Sequence, residues 1–276
     1  MFDLQRYLAG AIFASMKAGK ATLEVYYTDF SVEHKADNTP LTLADRKSHH
    51  IIKACLKQFG IPILSEEGRE VLYAQRRDWG LLWIVDPLDG TKEFVNCREE
   101  FTVNIALVKD GKPVVGVVFV PIKNSLYFAG QGRGSYKLEN AQIDDVFSNS
   151  IDAETSMHNV IELSDGLPLR SVSDTPFTIV GSRSHGGREL EAFVEQKRKE
   201  YDEVEFISAG SSLKFCYVAE GRADIYPRFG PTSEWDTAAG QAIVENAGGE
   251  VLDYNTGQPL VYNKQNILNP WFIAKR

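Results

Sequence analysis

The chain has few cysteines, no long apolar run and no excess of basic residues, and each absence excludes a class of protein or partner. The three cysteines, Cys55, Cys97 and Cys216, lie far apart in 276 residues, which predicts neither a disulfide framework nor a cysteine-rich zinc site. No apolar stretch approaches the length needed to cross a bilayer. A formal net charge of −8 predicts no nucleic-acid polymer as partner, although a small phosphorylated substrate stays compatible with it.

The N-terminal stretch is interrupted by Lys17 and Lys20 and shows no apolar core of a signal peptide. Together with the scarce cysteines, this predicts a cytoplasmic protein, with peripheral association with the inner membrane left open. An apolar content of 43% at ordinary charge density indicates a folded chain with a full core. The oligomeric state, monomer or homodimer, does not follow from the sequence.

Helical periodicity marks the start of the chain, and strand patterns follow it. Residues 3–27 predict an amphipathic helix, and residues 42–59 predict a second helix that ends at Gly60. A polar loop is expected between them over residues 29–40. Strands are then expected at 63–65, 101–108, 113–120, 127–128 and 135–138, and an apolar run of strand character begins at residue 81 and ends in Asp86-Pro87. The dipeptide Asp110-Gly111 between two of these strands indicates a hairpin.

Residues 139–176 are polar and acidic with little periodicity, which predicts an irregular connection between domains. We therefore predict an N-terminal α+β metal-binding domain over residues 1–150 and a C-terminal α/β substrate-specificity domain over residues 151–276. In the second domain, strands are expected at 178–180, 204–207, 223–226 and 251–252, and helices at 188–200, 211–220 and 236–247. This alternation is typical of an α/β layer.

The segment 81–94 carries the clearest chemical signal of the chain. An apolar run of strand character ends in Asp86-Pro87, where proline is expected to force a turn, and a second carboxylate follows at Asp89. Clustered hard oxygen ligands of this kind suit Mg²⁺. Gly90 and Thr91 then offer backbone N–H groups to a phosphate if a helix begins there. The alternative interpretation is a β-turn with an Asx cap.

Three further acidic positions lie at the ends of predicted elements, and each has a structural alternative. Asp45 stands three residues after Thr42, which is the spacing of a capping box. Glu66 and its neighbouring glutamate could belong to a solvated loop. Asp236 could cap the helix that it begins.

Taken together, these motifs resemble the signature of the inositol monophosphatase-like superfamily of Mg²⁺-dependent, lithium-sensitive phosphatases. The motifs of that signature occur in order along the chain, at Asp45, Glu66-Glu67, Asp86–Thr91, Trp235-Asp236 and Gly248-Gly249. The resemblance covers nearly the whole chain. It implies a mixed α+β and α/β architecture, the layered αβαβα sandwich of the sugar-phosphatase fold.

The resemblance also implies a role for each motif. Five residues would hold roughly two or three Mg²⁺ ions: Glu66, Asp86, Leu88 through its carbonyl, Asp89 and Asp236. Such ions would clamp the phosphate oxygens, lower the pKa of a coordinated water and stabilise the departing alkoxide. Thr91, hydrogen-bonded to Asp45, would orient and deprotonate that water for in-line attack.

The C-terminal half resembles the CysQ branch of this superfamily, the 3′(2′),5′-bisphosphate nucleotidases, at residues 182–185, 208–216 and 226–231. In inositol monophosphatases proper, the positions of Lys214 and Arg228 hold no cation. A second phosphate on the substrate explains why both are cationic here. The alternatives are a snorkelling surface lysine and a surface ion pair. His185 is expected against an adenine ring or as a capping loop residue.

The implied substrate contacts are Glu66, Leu88, Asp89, Gly90, Thr91, His185, Gly210, Ser211, Lys214, Arg228 and Asp236. The expected activity is hydrolysis of 3′-phosphoadenosine 5′-phosphate to AMP and phosphate in sulfur assimilation, with 3′-phosphoadenylyl sulfate as a second substrate. The alternatives are an inositol or sugar monophosphatase of the same fold and, from another class, a non-catalytic anion-binding regulatory protein.

Overall fold

The computed structural model describes residues 3–28, 31–34, 40–142, 147, 153–169, 176–182 and 187–276. The first part of the chain forms α1 (Leu4–Tyr26), β1 (Val32–His34), β2 (Pro40–Thr42), α2 (Leu43–Leu56), β3 (Ile63–Ser65), α3 (Tyr73–Arg76), β4 (Leu81–Asp89), α4 (Thr91–Val95), β5 (Thr102–Lys109), β6 (Lys112–Val120), β7 (Ser125–Gly130) and β8 (Gly134–Leu138). The second part forms α5 (Ala153–Glu162), β9 (Asp165–Gly166), β10 (Phe177–Gly181), α6 (Arg188–Glu200), β11 (Val204–Ser208), α7 (Leu213–Glu220), β12 (Ile225–Arg228), α8 (Glu234–Asn246), β13 (Glu250–Asp253) and β14 (Phe272–Lys275).

The strands form two main sheets and one small one. Seven strands follow chain order from β3 to β9, and only the first pair, β3 with β4, is parallel. The second sheet has five strands in the order β11-β10-β12-β14-β13, with parallel pairs at β11-β10 and β10-β12. Among the described strands, β1 and β2 pair with each other and form a sheet of their own.

Helices separate and cover the two main sheets. Helices α1 and α2 pack together on one face of the seven-stranded sheet, and α8 lies on its other face with α7 beside it. The five-stranded sheet packs against α7 and α8. Its outer face is covered by α6, where Leu190 and Phe193 pack with Ile179 and Ile225. This order of layers confirms the predicted αβαβα sandwich.

Strand β4 is buried on both faces, which explains its continuous apolar run. Trp83 and Val85 join the core under α1, whereas Leu82 and Ile84 join the core under α7 and α8. Contrary to the prediction, the strand does not end before Pro87. It continues to Asp89 with a shift of register against β5 between the two aspartates. A bulge tolerates proline because no ladder hydrogen bond is required there.

Several other expectations for the fold are confirmed or corrected. Asp110 and Gly111 both have positive φ, at 49° and 78°, so the β5-β6 connection is the predicted hairpin. The described part of 139–176 is not wholly irregular, since it contains α5, which packs on α1, and β9, which pairs with β8. Strand β1 lies inside the predicted 29–40 loop. The division into domains at residue 150 stays a prediction. No helix of the described residues is both long and apolar enough to cross a membrane.

Candidate metal and substrate site

Three carboxylates converge where the seven-stranded sheet meets α8. Asp86 and Asp89 come from the bulge of β4, and Asp236 comes from the first turn of α8. One oxygen atom from each of the three carboxylates lies within 4.8 Å of the others. The bulge brings the two β4 aspartates to the same side although Pro87 and Leu88 stand between them. The predicted acidic cluster is therefore assembled from sequence segments about 150 residues apart.

The buried negative charge of this cluster favours the binding of a cation. Burial raises the pKa of Asp86 well above its ordinary value, and the carboxylates of Glu66, Asp89 and Asp236 raise it further. Burial, followed by the charge of Asp89, raises the pKa of Asp236 to about 8. Like charges held together in a poorly solvated place resist ionisation unless positive charge is added. Bound divalent cations would supply that charge.

Glu66 and Leu88 complete a set of oxygen donors. Glu66 directly follows β3, and its backbone N–H donates to the carbonyl of Val85 on β4. Both Glu66 and Leu88 line the same cleft as the three aspartates. Carboxylate and carbonyl oxygens are the ligands that hard cations such as Mg²⁺ prefer. The residues present therefore fit a Mg²⁺ site, and the individual ligand assignments stay predictions.

Asp45 and Asp236 each complete a capping box at the start of a helix, and each also faces the site. Asp45 Oδ2 accepts from the Thr42 backbone N–H at 2.7 Å, while its Oδ1 accepts from the Thr91 hydroxyl at 3.2 Å. Asp236 Oδ2 accepts from the Ser233 backbone N–H at 2.7 Å. The capping-box alternative is thus correct for Asp45, whereas the N-cap of α8 is Ser233 and Asp236 stands at the third helical position of its capping box. In both residues Oδ2 makes the cap contact, so Oδ1 is left for the site.

The pair formed by Thr91 and Asp45 lies beside the acidic cluster. Asp45 is only 2% exposed, and burial raises its pKa. Thr91 begins the short helix α4 and lines the cleft. Its hydroxyl lies 3.3 Å from the carbonyl of Leu88 as well as 3.2 Å from Asp45. The structure therefore brings the two predicted catalytic residues together.

A cleft of about 220 Å³ extends from the acidic cluster toward the five-stranded sheet. Gly90, Gly210 and Ser211 line its wall. Gly90 has a φ of +89°, and Ser211 has a φ of +48°. Ser211 does not lie in a helix as predicted, because α7 begins only at Leu213. Its hydroxyl lies within hydrogen-bond distance of the carbonyls of Asp89 and Glu100, at 2.9 and 2.7 Å.

Lys214 is a buried cation on the wall of this cleft, not a surface lysine. It is 5% exposed, and Nζ donates to the carbonyls of Ser211 at 2.6 Å and Ala209 at 3.4 Å. Burial lowers its pKa from 10.5 to about 8. Among the described residues its hydrogen bonds go to neutral carbonyls, and a buried ammonium of this kind favours an anionic ligand.

Arg228 lies near Lys214 at the end of β12. The strand predicted at 223–226 is observed as β12, which begins two residues later than predicted and ends at Arg228. Arg228 Nη2 donates to the Pro231 carbonyl at 3.0 Å, but its buried Nε has no hydrogen-bond partner among the described residues. Within the described ranges Arg228 forms no ion pair, so the surface-ion-pair interpretation finds no partner there.

One predicted contact residue lies outside the described residues, and some residues that line the cleft were not predicted. His185 lies outside the described residues, so its expected contact with adenine stays a prediction. Ser182, Phe215 and Tyr226 also line the cleft and were not singled out from the sequence. Tyr226 could have been found, because it stands two residues before Arg228 in a strand and therefore shares its face.

The fold and the acidic cleft define a family. The model of the inositol monophosphatase family matches residues 3–273, and the chain belongs to that family. It is 42% identical over 263 residues to the 3′(2′),5′-bisphosphate nucleotidase CysQ of Shigella flexneri, covering 92% of this chain and 94% of that one. The CysQ of Escherichia coli K12 is 41% identical over the same length, with the same coverage.

Solved structures agree with the sequence relatives. The crystal structure of CysQ from Bacteroides thetaiotaomicron shares 48% identity with this chain, covers 98% of it and 97% of its own length, and has a TM-score of 0.88. The extragenic suppressor protein suhB of Bartonella henselae shares 27% identity over 95% of this chain and 91% of its own, with a TM-score of 0.71. The resemblance found in the sequence is thereby confirmed for both the superfamily and the CysQ branch.

Proposed function

We propose that this phosphatase hydrolyses 3′-phosphoadenosine 5′-phosphate to AMP and phosphate. It also converts 3′-phosphoadenylyl sulfate to adenosine 5′-phosphosulfate, and both reactions serve sulfur assimilation. The observation that carries the proposal is the pair Lys214 and Arg228, which places two cations in the same cleft as the acidic cluster. The relatives named 3′(2′),5′-bisphosphate nucleotidase CysQ support the same substrate.

Two or three Mg²⁺ ions are the proposed cofactors, held by Glu66, Asp86, the Leu88 carbonyl, Asp89 and Asp236. When bound, they supply Lewis-acid chemistry and neutralise charge on the phosphate and the leaving oxygen. The acidic residues contribute the ligand charge and fix where the cleaved phosphate binds. Burial raises the pKa of Asp86, and a bound cation would favour the ionised form of its carboxylate.

Thr91 and Asp45 move the proton of the attacking water. The Thr91 hydroxyl donates to Asp45 at 3.2 Å, which leaves the lone pairs of the threonine oxygen available to a water in the cleft. As that water attacks phosphorus, its proton passes to Thr91 and the threonine proton passes to Asp45. The bond from phosphorus to the 3′ oxygen breaks, and that oxygen leaves with the bonding electron pair and takes a proton from solvent to become the 3′-hydroxyl of AMP. The raised pKa of the buried Asp45 makes this carboxylate a stronger base than an exposed aspartate.

Lys214 and Arg228 bind the group that is not cleaved. The 5′-phosphate meets the Lys214 ammonium and the Arg228 guanidinium. Among the described residues, the ammonium donates to two carbonyls and Arg228 Nε has no partner. A charge-assisted hydrogen bond is worth about 1.5–3 kcal/mol. Loss of both contacts should therefore lower kcat/KM by about two to four decades.

The decisive experiment compares substrates across one matched set of variants. Phosphate release is measured from 3′-phosphoadenosine 5′-phosphate, adenosine 3′-phosphate and inositol 1-phosphate, with Mg²⁺ and with excess chelator. The test variant is Lys214→Met with Arg228→Glu. The control is Lys275→Met, which removes a cation with a 43% exposed side chain paired with Glu250 outside the cleft.

We expect the double variant to lose activity on the bisphosphate and far less on adenosine 3′-phosphate, whereas the control keeps both. Equal losses on both nucleotides would place the two cations in the scaffold or the catalytic centre. Wild-type preference for inositol 1-phosphate would assign the chain to the alternative inositol branch. Anion binding without turnover of any phosphate would leave the non-catalytic alternative. The cytoplasmic location and the oligomeric state, monomer or homodimer, remain predictions.

A further inference from the structure

A buried hydrogen-bond network that the sequence did not indicate holds one side of the Asp89 carboxylate. Ser212 Oγ donates to Asp89 Oδ2 at 2.8 Å, and Asn104 Nδ2 donates to the same oxygen at 3.2 Å. Ser212 and Asn104 are each 1% exposed. Removal of either side chain therefore costs Asp89 a buried hydrogen bond. Among the described residues, no hydrogen bond reaches the other oxygen of Asp89.

The network is directional, because each member fixes the orientation of the next. The Thr102 hydroxyl donates to Asn104 Oδ1 at 2.9 Å, which turns the amide nitrogen of Asn104 toward Asp89. The second hydrogen of that nitrogen is donated to Ser212 Oγ at 2.9 Å. Ser212 therefore accepts from Asn104 and still has its own hydrogen for Asp89. A fully satisfied network of buried polar groups is rigid.

The network also joins the two halves of the cleft. Thr102 and Asn104 stand two positions apart on β5, on one face of the seven-stranded sheet. Ser212 directly precedes α7, and its Oγ also lies 3.1 Å from the carbonyl of Asp236. The orientation of Asp89 thus depends on side chains from both parts of the fold.

We propose that Asn104 and Ser212 are positioning residues that set the affinity of the acidic cluster for its divalent cation. They act by aiming the Asp89 carboxylate, with Thr102 fixing the amide of Asn104. The inference rests on the proposed role of Asp89 as a metal ligand. Groups that orient a metal ligand typically change metal affinity or activity by about 10–100-fold when they are removed.

The test measures Mg²⁺ binding directly, by isothermal titration calorimetry of the purified protein without substrate. The variants are Asn104→Ala, Ser212→Ala, the double variant and Ser212→Thr, which keeps the hydroxyl. The matched control is Ser125→Ala. Ser125 is also a buried serine bonded to a carboxylate, since it is 4% exposed and its Oγ donates to Glu139 at 2.7 Å, but it does not line the cleft. The melting temperature is recorded for each variant with and without Mg²⁺.

We expect each alanine variant to need about 10–100-fold more Mg²⁺ for half-saturation. The double variant should be little worse than either single one, because the two donors share one acceptor and bond to each other. Saturating Mg²⁺ should restore most of kcat, and Ser212→Thr should bind Mg²⁺ more tightly than Ser212→Ala. Ser125→Ala should lower only the melting temperature. If Asn104→Ala does not fold, Ser212→Ala decides the test.

Unchanged Mg²⁺ affinity in a folded Ser212→Ala, with only a lower melting temperature as in Ser125→Ala, would overturn the inference. It would then leave the proposed phosphatase activity standing. The converse result would also separate the inference from the proposed function. Weaker Mg²⁺ binding by the alanine variants, in a wild type that hydrolyses no bisphosphate nucleotide, would support the inference and reject the proposed substrate.

Discussion

Burial of Lys214 should make the stability of the protein depend on pH in a way that one substitution can isolate. Its pKa falls from 10.5 to about 8 in the folded protein. Between these two values the unfolded chain keeps a proton that the folded chain has lost, so the free energy of unfolding rises with pH. One pH unit corresponds to about 1.4 kcal/mol, and the total gain from this residue is therefore about 3 kcal/mol. Below pH 8 the cost of the buried charge is fully present.

Lys214→Met removes this titration and provides the reference. Urea unfolding of both proteins is measured from pH 7 to about pH 10 in excess chelator, and the difference between their free energies cancels the titrations that they share. The difference should move in favour of the wild type by about 2–3 kcal/mol over that range. The exposed-cation variant Lys275→Met should show a difference that changes little with pH.

If the difference in unfolding free energy between wild type and Lys214→Met did not change with pH, the reasoning would be refuted. Such a result would mean that the Lys214 ammonium is adequately solvated or paired. The ligand gives a second check. If the 5′-phosphate of AMP binds the ammonium, saturating AMP near pH 8 should stabilise the wild type more than Lys214→Met. Equal stabilisation of both proteins would separate Lys214 from the phosphate site.

Three further predictions concern catalysis and packing. Asp89→Asn should fold but lose Mg²⁺-dependent turnover, since a ligand charge is removed at constant shape, and full activity in chelator would contradict this. Asp45→Asn and Thr91→Ala should each lower kcat by about 10²–10⁴-fold, and the double variant little more, whereas multiplicative losses would leave Asp45 a helix cap only. Gly116→Val should lower the free energy of unfolding by more than about 1 kcal/mol, because its Cβ would overlap the Ala239 carbonyl. Urea unfolding near wild-type stability would show that β6 and α8 can separate.

Local sequence determined much of this fold. The helix α6 has its predicted bounds, 188–200, because apolar residues recur at helical spacing and need no distant partner to indicate it. The β5-β6 hairpin follows from Asp110-Gly111, two residues that tolerate positive φ. By contrast, β14 was not predicted, since a strand of four residues is identified by its pairing with β12 and β13 and not by its own pattern.

Part of the candidate site could likewise be predicted from the sequence, and part of it is shown only by the structure. The order of acidic motifs was enough to select the residues of the acidic cluster and the Asp45–Thr91 pair, because the family resemblance depends on residue identity. Only the tertiary structure shows that Lys214 is buried and that Asn104 and Ser212 reach the same oxygen of Asp89. Burial, pKa and the direction of a hydrogen bond depend on atoms brought together from distant segments, as with Asn104 and Ser212, which are 108 positions apart. A one-dimensional pattern states which groups exist, and the packing of the two sheets around α7 and α8 decides which of them meet.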